Sequence, residues 1–273
     1  MADPFDRARY TARLNTRQAG VRLLVRETTA STNDDAWEAM ATLGDGAAVI
    51  ALEQTAGRGR AGRSWAHAPG KGLALSVALR LGCDVRQAGV IPLAAGLAVT
   101  QAAHALGVKS ARLKWPNDVL VGGAKLAGVL CEVRRAPGGG DAVVIGIGLN
   151  VAHTAQDFPA ELAGLATSLK LAGAEVTLED AAAEVLNRLE PLWNELQEGD
   201  RAAVLAEWTR WGAHWGQWIT VRTPSGPVEG TAVRLDTDGG LVLKLAEGPE
   251  TIVIAGDVHT STQDSSTEGC DVA

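Results

Sequence analysis

QTAGRGRAGRSW, residues 54–65, interleaves three glycines (Gly57, Gly59, Gly62) with three arginines (Arg58, Arg60, Arg63) in a chain whose net charge is −7. Glycine lets a backbone bring its N–H groups close to a ligand, and the arginine fork pairs with phosphate or carboxylate oxygens through charge-assisted hydrogen bonds. The stretch therefore reads as an anion-binding loop, and it leaves the end of an apolar, strand-like run at 47–53. The letters GRGRAG also satisfy the dinucleotide fingerprint G-x-G-x-x-G. That fingerprint requires a helix opening at its last glycine, with the helix N-terminus facing a pyrophosphate. Here Pro69, Gly70 and Gly72 follow within ten residues, and then the strand-like run LALSVALRL, so no helix fits. A Walker loop fails as well, because no Gly-Lys-Ser/Thr follows. These breaks argue against a doubly wound nucleotide-binding sheet, and the alternative to an anion-binding loop is a merely structural arginine-rich turn.

Charge and length narrow the classes further. At 273 residues the chain can hold one large domain with a small appendage. Hydrophobic residues make up 46%, enough for a packed core. The net acidity argues against nucleic acid as a partner, since phosphate backbones need a broad basic surface, and so the local arginine cluster wants a small anion. The cysteines (Cys83, Cys131, Cys270) are scattered without metal-ligand spacing, which fits a reducing cytoplasm, and no apolar run reaches membrane-spanning length.

Working outward, residues 1–20 are polar and arginine-rich and hold at most a short helix. A strand at 21–26 leads to Ser31, Thr32 and Asn33, good N-cap residues before the helical stripe Ala36, Trp37, Met40, Leu43, which Gly44 ends. A helix N-terminus carrying two hydroxyls and an amide is also a compact set of donors and acceptors for a polar ligand. After the strand at 73–81 comes a helix over 86–106, then SARLKWPNDVLVGGAKLAGVLCEVRR. Its β-branched runs, divided by Gly122 and Gly123, predict a hairpin with a primed turn, flanked by Lys114, Asn117, Asp118 and Lys125. The apolar run 142–151, interrupted by Gly146 and Gly148 and closed by Asn150, predicts a central strand that something approaches closely. Two helices follow at 178–197 and 201–211. From 216 to 258 the texture changes to short strand-like runs separated by Gly, Pro and Asp, a small β-barrel. Residues 1–20, 21–215 and 216–258 are thus read as an N-terminal segment, a main domain and a small C-terminal domain. The Ser/Thr-rich stretch 259–273 is read as a disordered tail.

STN, GRGRAGRSW, KWPNDV, KLAGVLCE and GIGLNV, in that order, resemble the biotin–protein ligase family over residues 21 to about 258. The resemblance implies an α+β fold, a mixed β-sheet with packed helices like the catalytic domain of class II aminoacyl-tRNA synthetases, plus an SH3-like C-terminal domain. It implies the monofunctional type, since the DNA-binding domain of the bifunctional members is not seen ahead of residue 21. It also implies two steps. Biotin and Mg-ATP form biotinyl-AMP and pyrophosphate, and the biotinyl group then passes to a lysine of a biotin carboxyl carrier domain. Either a monomer or a homodimer is compatible with it.

Carried over motif by motif, Ser31, Thr32, Asn33 and Gln54 would read the ureido ring of biotin, with backbone groups of Arg58 and Gly59 beside them. Arg58, Arg60 and Arg63 would hold the carboxylate and phosphates. Trp65 would cover the adenine, and Asn150 would contact the nucleotide. Lys125 would bind the biotin carboxylate and the α-phosphate, with Gly128 and Gly146 giving the valeryl chain room. Asp118 would face the Mg²⁺, with Lys114 and Asn117 at the triphosphate end. One departure is Ala61, where the family is often basic. The chemistry agrees with such a set: a carboxylate attacking a phosphate brings two anions together, so the site must be cationic, and the reactive anhydride must be kept from water.

Overall fold

The structure, a computed structural model, describes residues 5–66, 68–82 and 89–260 of the 273-residue chain. The expected tail 259–273 lies outside these residues from 261 onward, its first two residues, 259 and 260, belonging instead to the last strand; the start of the helix expected at 86–106, Cys83 and Cys270 also lie outside.

A short helix, α1 (Arg7–Arg13), precedes β1 (Leu23–Thr29), α2 (Thr32–Leu43), β2 (Ala48–Gln54), β3 (Gly72–Leu81) and α3 (Ile91–Ala105). Then come β4 (Arg112–Lys114), β5 (Asp118–Val121), β6 (Ala124–Arg135) and β7 (Asp141–Asn150), and the helices α4 (Leu178–Gln197) and α5 (Arg201–Trp211). These strands form one sheet in the order β1-β2-β3-β7-β6-β5-β4, parallel between β1 and β2 and antiparallel elsewhere. The predicted central strand is β7, which pairs with β3 along its whole length and with β6 over 141–149. Gly122 and Gly123 have φ of 59° and 87°, so both turn residues of the β5–β6 hairpin take the left-handed conformation that a type I′ turn needs.

Alternation along the strands gives the sheet two unlike faces. Leu75 and Val77 on β3 lie opposite Ile147 and Ile145 on β7, and this face is closed by α3 and α4, whose apolar side chains bury with it in the main core. α3 is apolar almost all round because the sheet, α4 and α5 enclose it. Truncating a side chain as buried as Leu75 would cost about 2–5 kcal/mol. The opposite face carries Ala78, Val144 and Val49 under α2, and beyond them Ser76, Gly146 and Gly148. α2 covers only part of that face, and the remainder is where the pocket lies.

The C-terminal strands β8 (Trp218–Thr223), β9 (Gly226–Leu235), β10 (Leu241–Lys244), β11 (Glu250–Val253) and β12 (Asp257–Thr260) form an antiparallel sheet in the order β11-β10-β9-β8-β12. No pairing closes β11 onto β12 among the described residues. This sheet docks on the larger one. Ala213 N donates to Leu113 O at 2.8 Å, Trp115 Nε1 to Gly239 O at 3.0 Å, and Arg201 pairs with Asp238 at 2.8 Å.

Candidate functional site

The glycine-arginine loop folds back on itself instead of leading into a helix. Gly59 N donates to Arg63 O at 2.7 Å and Trp65 N to Gly57 O at 2.9 Å, a small hairpin whose tip holds Ala61 in the left-handed region (φ 55°). It lies over the uncovered face of the sheet and closes a pocket that the loop, the start of α2 and strands β5, β6 and β7 line together.

The floor of the pocket is bare backbone at its two central positions, Gly148 and Gly128. Ala74, Gly148, Gly128 and Asp118 stand in one row across β3, β7, β6 and β5. A Cβ on Gly148 would sit 2.4 Å from the Trp65 indole, and one on Gly146 would sit 2.1 Å from Asn33 Oδ1. Close approach is what these two strand glycines permit, and the approaching groups are Trp65 and Asn33.

One end of the pocket is neutral and polar. Ser31, Thr32 and Asn33 open α2, and all three are buried although polar. Ser31 makes no side-chain cap bond. Gln54 Oε1 accepts from Thr32 N at 2.8 Å and from Thr32 Oγ1 at 3.1 Å, which joins the end of β2 to the start of α2. Ser76 Oγ lies 2.7 Å from both Thr32 Oγ1 and Asn33 Oδ1. Asn33 Nδ2 donates to Glu132 Oε2 at 2.7 Å.

The other end is cationic. Lys125 Nζ is 2.9 Å from Asp118 Oδ1 and 5.7 Å from the centre of the Trp65 ring. Its backbone is fixed from the far side, Lys125 N donating to Leu165 O at 2.7 Å and Thr167 N to Lys125 O at 2.9 Å. Arg60 Nη1 donates to Asn117 Oδ1 at 3.0 Å, and Asn117 Nδ2 donates to Val129 O at 2.7 Å. The flanking arginines are held by carboxylates. Arg58 makes a bidentate pair with Asp34 at 2.6 and 2.9 Å, and Arg63 Nη2 lies 3.0 Å from both oxygens of Asp257, on the C-terminal sheet. The Arg58 hydrogen bond holds the Asp34 carboxyl below the usual carboxylate range.

Gly59, Arg60, Gly128 and Gly146 line the same pocket as the groups above. Asn150 lines a smaller neighbouring hollow with Trp65, Lys125 and Phe158. Lys114 does not line the main pocket. It faces Asp118 across β4 and β5, and its burial lowers the ammonium pKa while the Asp118 charge raises it. Sequence reasoning passed over Ser76, Asp34, Glu132 and Asp257. Ser76 had a signal, the one polar residue in the apolar stretch 73–79 of β3. Asp257 had none, since its partner Arg63 is 194 residues away.

A cation beside a carboxylate, over a floor without side chains and next to a neutral polar cradle, can bind an anion on a polar-headed molecule and activate it toward a phosphate. Residues 25–150 match the biotin/lipoate A/B protein ligase family, and residues 214–259 match the biotin protein ligase C terminal domain. The chain is 36% identical over 237 residues to the biotin–[acetyl-CoA-carboxylase] ligase of Mycobacterium tuberculosis, covering 84% of this chain and 85% of that one. It is 32% identical over 244 residues to the bifunctional ligase/repressor BirA of Bacillus spizizenii, covering 89% and 75%. Among solved structures, the biotin protein ligase of Aquifex aeolicus in complex with biotin and ATP superposes with a TM-score of 0.75 at 27% identity, covering 88% of this chain and 98% of that one.

Proposed function

We propose, since the chain belongs to the biotin/lipoate A/B protein ligase family, that it activates biotin with ATP and passes the biotinyl group to a lysine of a carboxylase carrier domain. The observation that carries this is the pairing, in one pocket, of a neutral polar end with a cationic end built from Lys125 and the arginine loop. A biotinyl-adenylate has that polarity: a cyclic urea at one end, an apolar chain, then an acyl phosphate and a nucleotide.

Ser31, Thr32, Asn33 and Gln54 bind the ureido ring, and the chain lies over Gly128 and Gly146. The biotin carboxylate oxygen attacks the α-phosphorus of ATP, forming the acyl–phosphate bond as the bond to pyrophosphate breaks. Lys125 offsets the charge where the two anions meet, with Arg60 reaching the same phosphate from the loop. Trp65 covers the adenine, and Asn150 and Lys114 serve the nucleotide and triphosphate end. Asp118, whose Oδ1 lies 2.9 Å from Lys125 Nζ, would offer its other carboxylate oxygen to Mg²⁺, and the ion would neutralise the triphosphate charge. In the second step the carrier lysine amine attacks the acyl carbon and AMP leaves. The folded loop excludes water from the anhydride meanwhile.

Among the described residues no helix is long and apolar enough to cross a membrane. We place the chain in the cytoplasm, where ATP and carboxylases are found, and assign it no nucleic-acid partner. The experiment is biotin-dependent exchange of labelled pyrophosphate into ATP, followed by the mass of a carrier domain incubated with biotin and ATP. A gain of one biotinyl group is expected. Exchange that ignores biotin overturns the proposal.

A further inference from the structure

Glu132 sits on β6 where three elements meet. Its Oε2 accepts from Asn33 Nδ2 at 2.7 Å and lies 3.4 Å from Arg58 Nη2, while its Oε1 is 3.5 Å from Arg134 Nη2. Asp34, the neighbour of Asn33, takes both terminal nitrogens of Arg58. Arg134 lies 4.0 Å from Asp34, with its guanidinium over the Trp37 ring at 5.1 Å. Two carboxylates and two guanidiniums therefore alternate at the rim of the pocket's polar end.

The first consequence is the direction of the Asn33 amide. With Nδ2 committed to a carboxylate, the carbonyl oxygen must face Ser76 and the pocket, because the opposite orientation would set Oδ1 2.7 Å from an anionic oxygen. Ser76 Oγ can donate to Asn33 Oδ1, and one lone pair is left over. Asn33 Oδ1 can only accept, so the ligand group it takes is a hydrogen-bond donor, which in a urea is an N–H. The second consequence is that Arg58 has its charge compensated on the rim. Its guanidinium serves as a staple that pins the loop backbone at 58–59 against the N-terminus of α2.

We propose that Glu132 and Asp34 are positioning residues for recognition of the ligand's urea. Glu132 sets the Asn33 amide as an N–H acceptor, and the two carboxylates together hold the base of the loop across the same end of the pocket. This rests on the biotin reading of the pocket. Without Glu132 the amide keeps only the longer contact of Nδ2 to Leu130 O at 3.5 Å among those the described residues give it, so its orientation is held less firmly, and both the acceptor and the loop staple are weakened.

The test titrates biotin and ATP separately in the pyrophosphate-exchange assay. Glu132→Ala is expected to raise the KM for biotin about tenfold, the weight of one hydrogen bond to a charged partner, while the KM for ATP stays within about twofold. The sharper arm is a swap. Asn33→Asp alone sets two carboxylates face to face and should impair biotin binding severely. Asn33→Asp combined with Glu132→Gln should recover most of it, because the new amide donates to the new carboxylate and leaves its other oxygen free for the ligand. Asp34→Asn should raise the biotin KM by about threefold. Equal rises in both KM values for Glu132→Ala, or a double variant no better than Asn33→Asp, would overturn the inference while leaving the ligase reading intact. A wild-type chain that shows no biotin dependence overturns both.

Discussion

Lys125 and Gly128 share one face of β6 although they are three residues apart: a Cβ on Gly128 would stand 3.2 Å from Lys125 Cε. In a regular strand three residues place side chains on opposite faces. The pairing of β5 with β6 shifts register between Val119 and Leu120, so that Leu120 faces Lys125 while Leu126 stays fully buried in the main core. The bulge turns the lysine into the pocket beside Asp118 without turning the leucine out of the core.

Lys125→Ala is therefore expected to abolish adenylate formation and leave folding unchanged. Loss of one preorganised charge contact where two anions meet lowers the rate by on the order of 10²–10³. Pyrophosphate exchange reads the rate, and thermal melting reads the fold. Exchange at the wild-type rate would remove Lys125 from the chemistry.

That bulge marks the limit of what the sequence could tell. The order of strands and helices was legible because periodicity and punctuation agreed. The cap at 31–33, the Gly122-Gly123 turn, and the absence of any helix after Gly62 are all local signals, and α4 and α5 follow their apolar stripes. The glycines of β7 announced a close approach but not the approaching group, since Asn33 and Trp65 arrive from distant elements. The division of labour among the three arginines was not legible either. Which guanidinium is stapled and which faces the ligand depends on Asp34, Glu132 and Asp257, and only the folded chain brings these together.

Gly148→Ala tests the backbone floor. The added Cβ would stand 2.4 Å from Trp65 Cε2, so the indole must leave its place over the Gly148–Gly128 pair. If the indole covers the adenine, the KM for ATP should rise about three- to tenfold, the weight of one aromatic contact, with the KM for biotin less affected. An unchanged KM for ATP would place the adenine elsewhere.

Arg60→Ala separates making the adenylate from keeping it. Arg60 donates to the neutral Asn117 at 3.0 Å and lies 3.7 Å from Asp257, a looser hold than the carboxylate contacts of Arg58 and Arg63, so its fork is the one best placed to turn to a phosphate. Lys125 and Asp118 remain in the variant, and adenylation should survive. Escape of the intermediate should quicken about ten- to a hundredfold for the loss of one charge-assisted contact. Released biotinyl-AMP labels bystander lysines, so the measure is biotin on added serum albumin at matched ATP consumption. Labelling equal to wild type would exclude Arg60 from retention.

Asp257→Asn carries the same question across to the C-terminal sheet. Asp257 begins β12 and presents both carboxylate oxygens to Arg63 Nη2 at 3.0 Å. The two side chains are about three-quarters and two-thirds buried, so solvent screens the pair only in part. The loop is thus stapled at one end to α2 through Arg58 and at the other to a different sheet through Arg63. Asparagine keeps the size and one acceptor but removes the charge, which weakens the second staple and loosens the longer 3.7 Å contact to Arg60 while leaving Lys125 and Asp118 in place. The expected result is a loop that opens more often. Albumin labelling should rise about three- to tenfold, less than for Arg60→Ala, with pyrophosphate exchange close to wild type. Limited proteolysis at Arg60 and Arg63 should quicken in parallel, since cleavage follows the open population. If labelling and cleavage both stay at wild-type levels, the Arg63–Asp257 contact fastens the two sheets together without governing the loop.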